Sequence, residues 1–256
     1  MTTFINSLAI EAGKKIILPA FHKIKSNTLK KDGSIVTETD LQCQHYLQKR
    51  LQKAYPHIAF LGEEMQQKEQ VNIMKNDHYW CVDPLDGTSN FASNIPLFST
   101  SIALISNGQP THACIYQPYS DEIFTTSISQ PKKRSPQDPL NNKNSALQNA
   151  IGYIDFKRLN TKARDTLCSH MPYRSQRNLG SCALEWAWLA KGRGDFIIHG
   201  NENLWDYAAG ILLAERAGCI ISDFNGNHPF ATLRLNSPII AANSHALHKD
   251  LLALLQ

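Results

Sequence analysis

The segment HYWCVDPLDGTSNF, residues 78–91, restricts the possible folds and chemistry of this chain more than any other. Its first half reads as a strand. Tyr79, Cys81 and Asp83 share one face of it, because side chains alternate along an extended backbone. Pro84 has no N–H to give to a ladder, so strand pairing is expected to stop there. Asp83 is then left at the strand's end, aimed into the crevice beyond. Asp86 falls in a turn, and Gly87 can take the positive φ that such turns often require. Thr88, Ser89 and Asn90 read as the first turn of a helix, whose unpaired N–H groups favour a phosphate or another anion.

Two close carboxylates beside such a helix end repel each other unless a cation joins them. Hard divalent ions such as Mg²⁺ take oxygen ligands and pair carboxylates with substrate phosphate. Two of them about 4 Å apart can stabilise both the attacking and the leaving oxygen of an in-line displacement. A lone D-x-x-D-G also fits a turn followed by a helix cap, so the metal reading needs further acids. Glu63 and Glu64 in LGEE follow a short apolar strand and are either solvated surface or a ligand with its neighbour. Asp206 in LWDYAAG opens an apolar helix, where an aspartate is commonly an N-cap. Asp40 in TETD can likewise cap the helix that follows it.

Whether distant acids can meet depends on the size of the core. With 256 residues and 42% hydrophobic composition, the chain can bury a substantial interior as one domain or two fused halves. Apolar spacing predicts a helix over residues 4–24 and another from Leu41 to Ala54, stopped near Pro56. Between them, KKDGSIVTETD reads as a loop and short strand. IAFLG reads as a strand, and TSIALI and HACIYQP as paired strands joined around Gly108. From about Gln130 to Asn149 a Pro, Lys, Gln and Asn-rich stretch marks a boundary, giving halves 1–140 and 141–256 of one compact catalytic unit.

The second half alternates. AIGYI is a strand, TKARDTLCSHM a helix, and SCALEWAWLAK a helix with Ser181 as a possible N-cap. The strand DFIIHG is followed by DYAAGILLAERAG, a helix capped by Asp206 and closed by Gly218. The strand CIISDF, a turn at NGN, the strand IIAAN and a helix from Ser244 complete the chain. This mixture argues for a layered α/β (α+β) architecture.

The formal charge of +4 is mild, and part of it sits in Lys132–Arg134, which lacks the interleaved aromatics of a nucleic-acid surface and reads as a solvated loop. Six scattered cysteines without a C-x-x-C suggest neither a zinc knuckle nor a disulfide framework. No apolar run is long enough to span a membrane. A soluble, cytoplasmic enzyme is expected.

In chain order these blocks resemble the inositol monophosphatase family, within the lithium-sensitive, magnesium-dependent sugar and nucleotide phosphatases. The motif D-P-[IL]-D-G-T-x-N-F is matched by Asp83 to Phe91, and G-E-E by Gly62 to Glu64. W-D-x-A-A-G is matched by Trp205 to Gly210, the following A-G by Ala217 and Gly218, and T-x-x-D by Thr37 and Asp40. The resemblance spans essentially the whole chain. It implies an αβαβα layered sandwich, usually a homodimer, that hydrolyses a small phosphate ester with two to three Mg²⁺ ions. It further implies that Glu63, Asp83 and the Leu85 carbonyl hold one ion, and that Asp83 bridges to a second completed by Asp86 and Asp206. A third, looser ion is implied near Glu63. Gly87 and Thr88 would offer N–H groups to the phosphate. Thr88, hydrogen-bonded to Asp40, would orient and deprotonate the attacking water, and Glu64 would support the ligands from behind.

The substrate side departs from the pattern. Inositol-preferring members contact sugar hydroxyls through GSAAL and a glutamate seven residues before the W-D aspartate. Here those positions read Gly180-Ser181-Cys182-Ala183-Leu184 and His199. A neutral imidazole cannot supply a carboxylate's acceptors to vicinal hydroxyls. Glu202 in HGNEN is a candidate substitute, and His199 fits equally a strand-end residue without a ligand role. The usual G-x-G-A-x-x-N is replaced by SISQPKKRSPQ. The expected activity is hydrolysis of a polyol or sugar phosphate, with inositol 1-phosphate as reference. Alternatives are 3′-phosphoadenosine 5′-phosphate or fructose 1,6-bisphosphate as substrate, and a non-catalytic binding protein on the same fold.

Overall fold

The computed structural model describes residues 1–23, 28–29, 35–131 and 146–255. The Lys132–Arg134 run and the boundary at 140/141 lie outside the described residues, as does the KKDGS stretch, residues 30–34. The N-terminal helix is not continuous. Helix α1 (Thr2–Ala12) passes through a wider π-type stretch, Gly13–Ile17, into the short α2 (Leu18–Ala20). Pro19 explains the break: its ring clashes with the carbonyl four residues back, and widening the preceding turn relieves the clash. A small antiparallel pair follows, β1 (Thr28–Leu29) with β2 (Ile35–Val36). Helix α3 (Glu38–Ala54) begins before Leu41 because Thr37 and Asp40 form a capping box, with the Thr37 N–H donating to Asp40 Oδ2 at 2.8 Å.

Strands β3 (Ala59–Gly62), β4 (His78–Asp86), β5 (Ser99–Ser106), β6 (Gln109–Gln117) and β7 (Glu122–Ser127) form the first sheet in that order. The β3–β4 pair is parallel and the others antiparallel. Helix α4 (Gln67–Ile73) joins β3 to β4, and α5 (Thr88–Ala92) follows β4. Strand β4 does not end at Pro84. Its ladder with β5 shifts register between Asp83 and Asp86 and resumes where Asp86 pairs with Ser99. The missing proline N–H falls inside this irregularity, so pairing is interrupted rather than terminated. Asp86 therefore closes a strand instead of sitting in a free turn.

The second sheet has the order β11-β12-β10-β8-β9, built from β8 (Ile151–Asp155), β9 (Ser175–Arg177), β10 (Phe196–Asn203), β11 (Ile220–Ser222) and β12 (Asn236–Ala242). Its helices are α6 (Thr161–His170), α7 (Cys182–Ala190), α8 (Leu204–Arg216) and α9 (His245–Leu255). Helix α8 is capped by Asn203, not Asp206. Asp206 stands three residues further on and completes a second capping box.

Side-chain alternation explains the stacking. Trp80 and Val82 of β4 face Leu8 of α1 and Leu47 of α3, whereas Tyr79 and Cys81 face Trp186 of α7 and Ile211 of α8. In β10, Ile197 points into that same central layer, while Phe196 and Ile198 meet Leu167 of α6 and Leu251 of α9. The result is helices, sheet, helices, sheet, helices, the αβαβα arrangement expected. Helices α7 and α8 flank β10 in the chain but also pack on the first sheet. Among the described residues, no helix is long and apolar enough to cross a membrane.

Candidate active site

The ends of β3 and β4, the start of α5, the turn before α7 and the β10–α8 junction meet around a cavity of about 270 Å³. Glu63, Asp83, Leu85, Asp86, Gly87 and Thr88 line one side of it. Gly180, Ser181, Cys182, His199, Glu202 and Asp206 line the rest. Asp40 and Glu64 do not line it. Asp40 is buried behind Thr88, whose hydroxyl lies 2.8 Å from Asp40 Oδ1 and 3.0 Å from the Leu85 carbonyl. The Glu64 N–H donates to Gln44 Oε1 at 2.9 Å.

Asp83, Asp86 and Asp206 are all buried, with one carboxylate oxygen from each within 4.8 Å of the others. Burial pushes the pKa of Asp83 well above its ordinary value, and the charges of Glu63, Asp86 and Asp206 push it further. Asp206 is raised in the same way by burial, Glu202, Asp86 and Glu63. Burial raises Asp86 to about 6, although hydrogen bonds from Ser181 and Ala183 oppose the rise. A divalent cation would remove this mutual repulsion. An all-oxygen, anionic donor set, with the Leu85 carbonyl beside it, suits Mg²⁺.

Asp86 also ties the end of β4 to the start of α7. Its Oδ2 accepts from Ser181 Oγ at 2.5 Å and Ala183 N at 2.8 Å, and Oδ1 accepts from Cys182 N at 3.2 Å. Ser181 occupies the N-cap position of α7, but its hydroxyl turns to Asp86 rather than to the helix. The first turn of α7 is thus capped from another strand. Gly87 stands at φ +90°, and a Cβ there would lie 2.9 Å from the Leu97 carbonyl oxygen. Only glycine can turn the chain this sharply against two neighbouring backbone segments.

The model of the inositol monophosphatase family matches residues 1–256. The chain belongs to the inositol monophosphatase family. Among its relatives, "Inositol monophosphatase 1" of Solanum lycopersicum is 32% identical over 250 residues, covering 93% of this chain and 90% of that protein. "Nus factor SuhB" of Xylella fastidiosa is 32% identical over 195 residues, 74% of this chain and 69% of the relative. "Fructose-1,6-bisphosphatase/inositol-1-monophosphatase" of Thermotoga maritima is 31% identical over 208 residues, 78% and 76% of the two chains. The SuhB structure from Bartonella henselae superposes with TM-score 0.81 at 26% identity, covering 99% of this chain and 97% of that one. An IMPase/NADP phosphatase complexed with Mg²⁺ and phosphate shares the fold, with TM-score 0.83 at 23% identity over 98% and 93% of the chains.

Several cavity residues escaped the motif reading of this family member. Asp155, Lys157, Arg158 and Glu185 all line the space. Arg158 Nη1 reaches Glu202 Oε2 at 3.0 Å and Asp206 Oδ2 at 3.5 Å. Glu185 is buried in α7, with Oε2 2.7 Å from His199 Nε2. A charged residue inside the apolar run CALEWAW was the available signal for Glu185; nothing local marked Arg158. His199 is also buried. Burial pushes its pKa down, but the Glu202 and Glu185 carboxylates outweigh this and raise it.

A pH dependence follows from the clustered aspartates. A carboxyl group whose folded pKa is raised favours folding below its unfolded pKa, and that contribution is lost as pH rises through the folded value. For Asp86 the window runs from the ordinary 3.8 to about 6. The metal-free protein should therefore lose stability across this range, while Mg²⁺ competes with fewer protons as pH rises. Thermal unfolding with and without Mg²⁺ is expected to give a larger Tm gain at about pH 7 than at about pH 5.

Proposed function

We propose that this protein is a Mg²⁺-dependent phosphomonoesterase acting on a small polyol or sugar phosphate, with inositol 1-phosphate as the reference substrate. The observation that carries this reading is the convergence of Asp83, Asp86 and Asp206 beside the Gly87–Thr88 turn. Family membership supports phosphate-ester hydrolysis, and the neighbour complexed with Mg²⁺ and phosphate supports the choice of ion. Glu63, Asp83 and the Leu85 carbonyl would hold one ion, and Asp83, Asp86 and Asp206 another, with a third near Glu63. Bound Mg²⁺ supplies a lowered pKa to a coordinated water and offsets charge on the phosphoryl oxygens.

The chain's own groups do the rest. The N–H groups of Gly87 and Thr88 receive the phosphate oxygens at the start of α5. Thr88 Oγ1 takes a proton from the attacking water as its own proton passes to Asp40 Oδ1, 2.8 Å away. Burial raises the pKa of Asp40, against hydrogen bonds from Thr37 and Thr88 that lower it, making it a better proton acceptor than a surface aspartate. Asp40→Asn is expected to slow turnover by about 10²–10⁴-fold while Mg²⁺ affinity stays within about tenfold. Normal turnover with weakened Mg²⁺ binding would make Asp40 a ligand instead.

Lys157 and Arg158 favour a second reading, a substrate with a further anionic group such as fructose 1,6-bisphosphate or 3′-phosphoadenosine 5′-phosphate. The relatives named Nus factor SuhB keep a binding role in view as well. Phosphate release from these three compounds, with Mg²⁺ and with or without lithium, tests all readings at once. Mg²⁺-dependent, lithium-inhibited release from inositol 1-phosphate is the expected result. Faster turnover of a bisphosphate would move the assignment there. No release from any compound would leave the binding role ahead.

A further inference from the structure

Beside Asp86 and Asp206, the cavity wall carries a different donor set. Cys182, His199 and Glu202 each place one potential ligand atom within 4.8 Å of the others. A register shift in β10 between His199 and Glu202 lets two residues three apart face the same space, which a regular strand forbids. Partners outside the trio hold their outer atoms. His199 Nε2 lies 2.7 Å from Glu185 Oε2, and Glu202 Oε2 accepts from Arg158 Nη1 at 3.0 Å. The inner atoms face one another. His199 Nδ1 is 3.4 Å from Cys182 Sγ and 3.7 Å from Glu202 Oε1.

These separations have a specific meaning. Zn²⁺ binds thiolate sulfur at about 2.3 Å and imidazole nitrogen or carboxylate oxygen at about 2.0–2.2 Å. Tetrahedral angles then set S···N at about 3.5 Å and N···O at about 3.4 Å. The observed pairs fall within a few tenths of an ångström of those edges. A carboxylate on the far nitrogen of a histidine is also the arrangement that fixes the tautomer and direction of a metal-ligating ring.

We propose that Cys182, His199 and Glu202 form a zinc site on the stretch of wall beside Asp86 and Asp206, with its fourth corner open to the cavity. Thiolate, neutral imidazole and carboxylate balance the charge of Zn²⁺, and the sulfur makes the set unsuited to Mg²⁺. Binding releases the Cys182 thiol proton to solvent. Glu185 is a positioning residue for His199. The site touches the aspartates through Arg158 and the Cys182 N–H, but its readout is metal binding at sulfur, which stands or falls separately from the hydrolytic reading.

The test is titration of the 256-residue chain with Co²⁺ and then Zn²⁺ in excess Mg²⁺. One equivalent of Co²⁺ is expected to give a sulfur-to-cobalt charge-transfer absorption that Zn²⁺ displaces. Cys182→Ser should abolish the band, Glu185→Gln should weaken Zn²⁺ binding by about 10–100-fold, and Asp83→Asn should leave the band in place. A measurement on the unmodified chain guards against a variant that does not fold. Zn²⁺ should slow alkylation of Cys182 by about tenfold or more, read by peptide mass spectrometry, without slowing the exposed Cys168. A spectrum without the band, a band that survives Cys182→Ser, or unchanged alkylation of Cys182 would overturn the assignment.

Discussion

Replacing Asp83 with Asn should lower kcat/KM for a phosphate monoester by about 10³-fold or more, while the metal-free protein melts at the same temperature or higher. The two effects have one cause. Asp83 is buried, and Glu63, Asp86 and Asp206 add their charges to the cost of ionising it. Its raised pKa means that the ionised form opposes folding at neutral pH. Asparagine keeps the acceptor for the Leu85 N–H, now 3.0 Å from Oδ1, and removes the repulsion. It also removes the charge proposed to join the metal ligands. Losing several kcal/mol of transition-state charge stabilisation corresponds to about 10³-fold in rate. The Tm gain on adding Mg²⁺ should shrink as well. Calorimetry with and without Mg²⁺, beside steady-state kinetics, checks both halves. A variant that hydrolyses normally, or that unfolds well below the parent in EDTA, contradicts the role given to Asp83.

Gly87→Ala should fail in a different way, losing stability and activity together. The φ of +90° alone costs an L-residue about 1–3 kcal/mol. The new methyl would also stand 2.9 Å from the Leu97 oxygen and 3.1 Å from the Gly180 oxygen, both backbone atoms that cannot rotate away. Overpacking of this kind adds about 1–3 kcal/mol. For a chain of this size the sum corresponds to a Tm loss of roughly 5–15 °C. Any backbone shift that relieves the contacts moves the N–H groups proposed to receive the phosphate, and a misplacement near 1 Å can cost about 10²-fold in rate. Thermal unfolding and kcat/KM on the same preparation decide it. A fall in activity at unchanged Tm would mean that the tight approach to Leu97 and Gly180 carries no strain.

Local signals held where physical constraints are local. Apolar periodicity located α3, because a buried face repeats with the period of its own element. They misled where a distant partner altered the local outcome. Pro84 looked like the end of a strand, yet β5 supplies Ser99 beyond it and recovers the pairing at Asp86. Asp206 looked like an N-cap, but the bulged end of β10 delivers Asn203 to that position first. Strand β9, three residues at a sheet edge, carries too little alternation to be read alone, and the edge strand β7 follows Phe124 with the polar Thr125, Thr126 and Ser127, so no apolar alternation marks it.

The candidate site divides along the same line. Its acid types, the glycine at the turn and the break in the apolar strand could be read from residues 62–64, 83–91 and 205–210, since proline, glycine and carboxylate chemistry act within a few bonds. Family likeness extended those blocks to the whole chain. The Asp86–Ser181 hydrogen bond spans 95 residues, and the Glu185–His199 pair unites a helix with a neighbouring strand. No spacing rule encodes such contacts. They exist because α7 and α8 must bury their apolar faces between two sheets, and that packing chooses which polar side chains arrive together in the cavity.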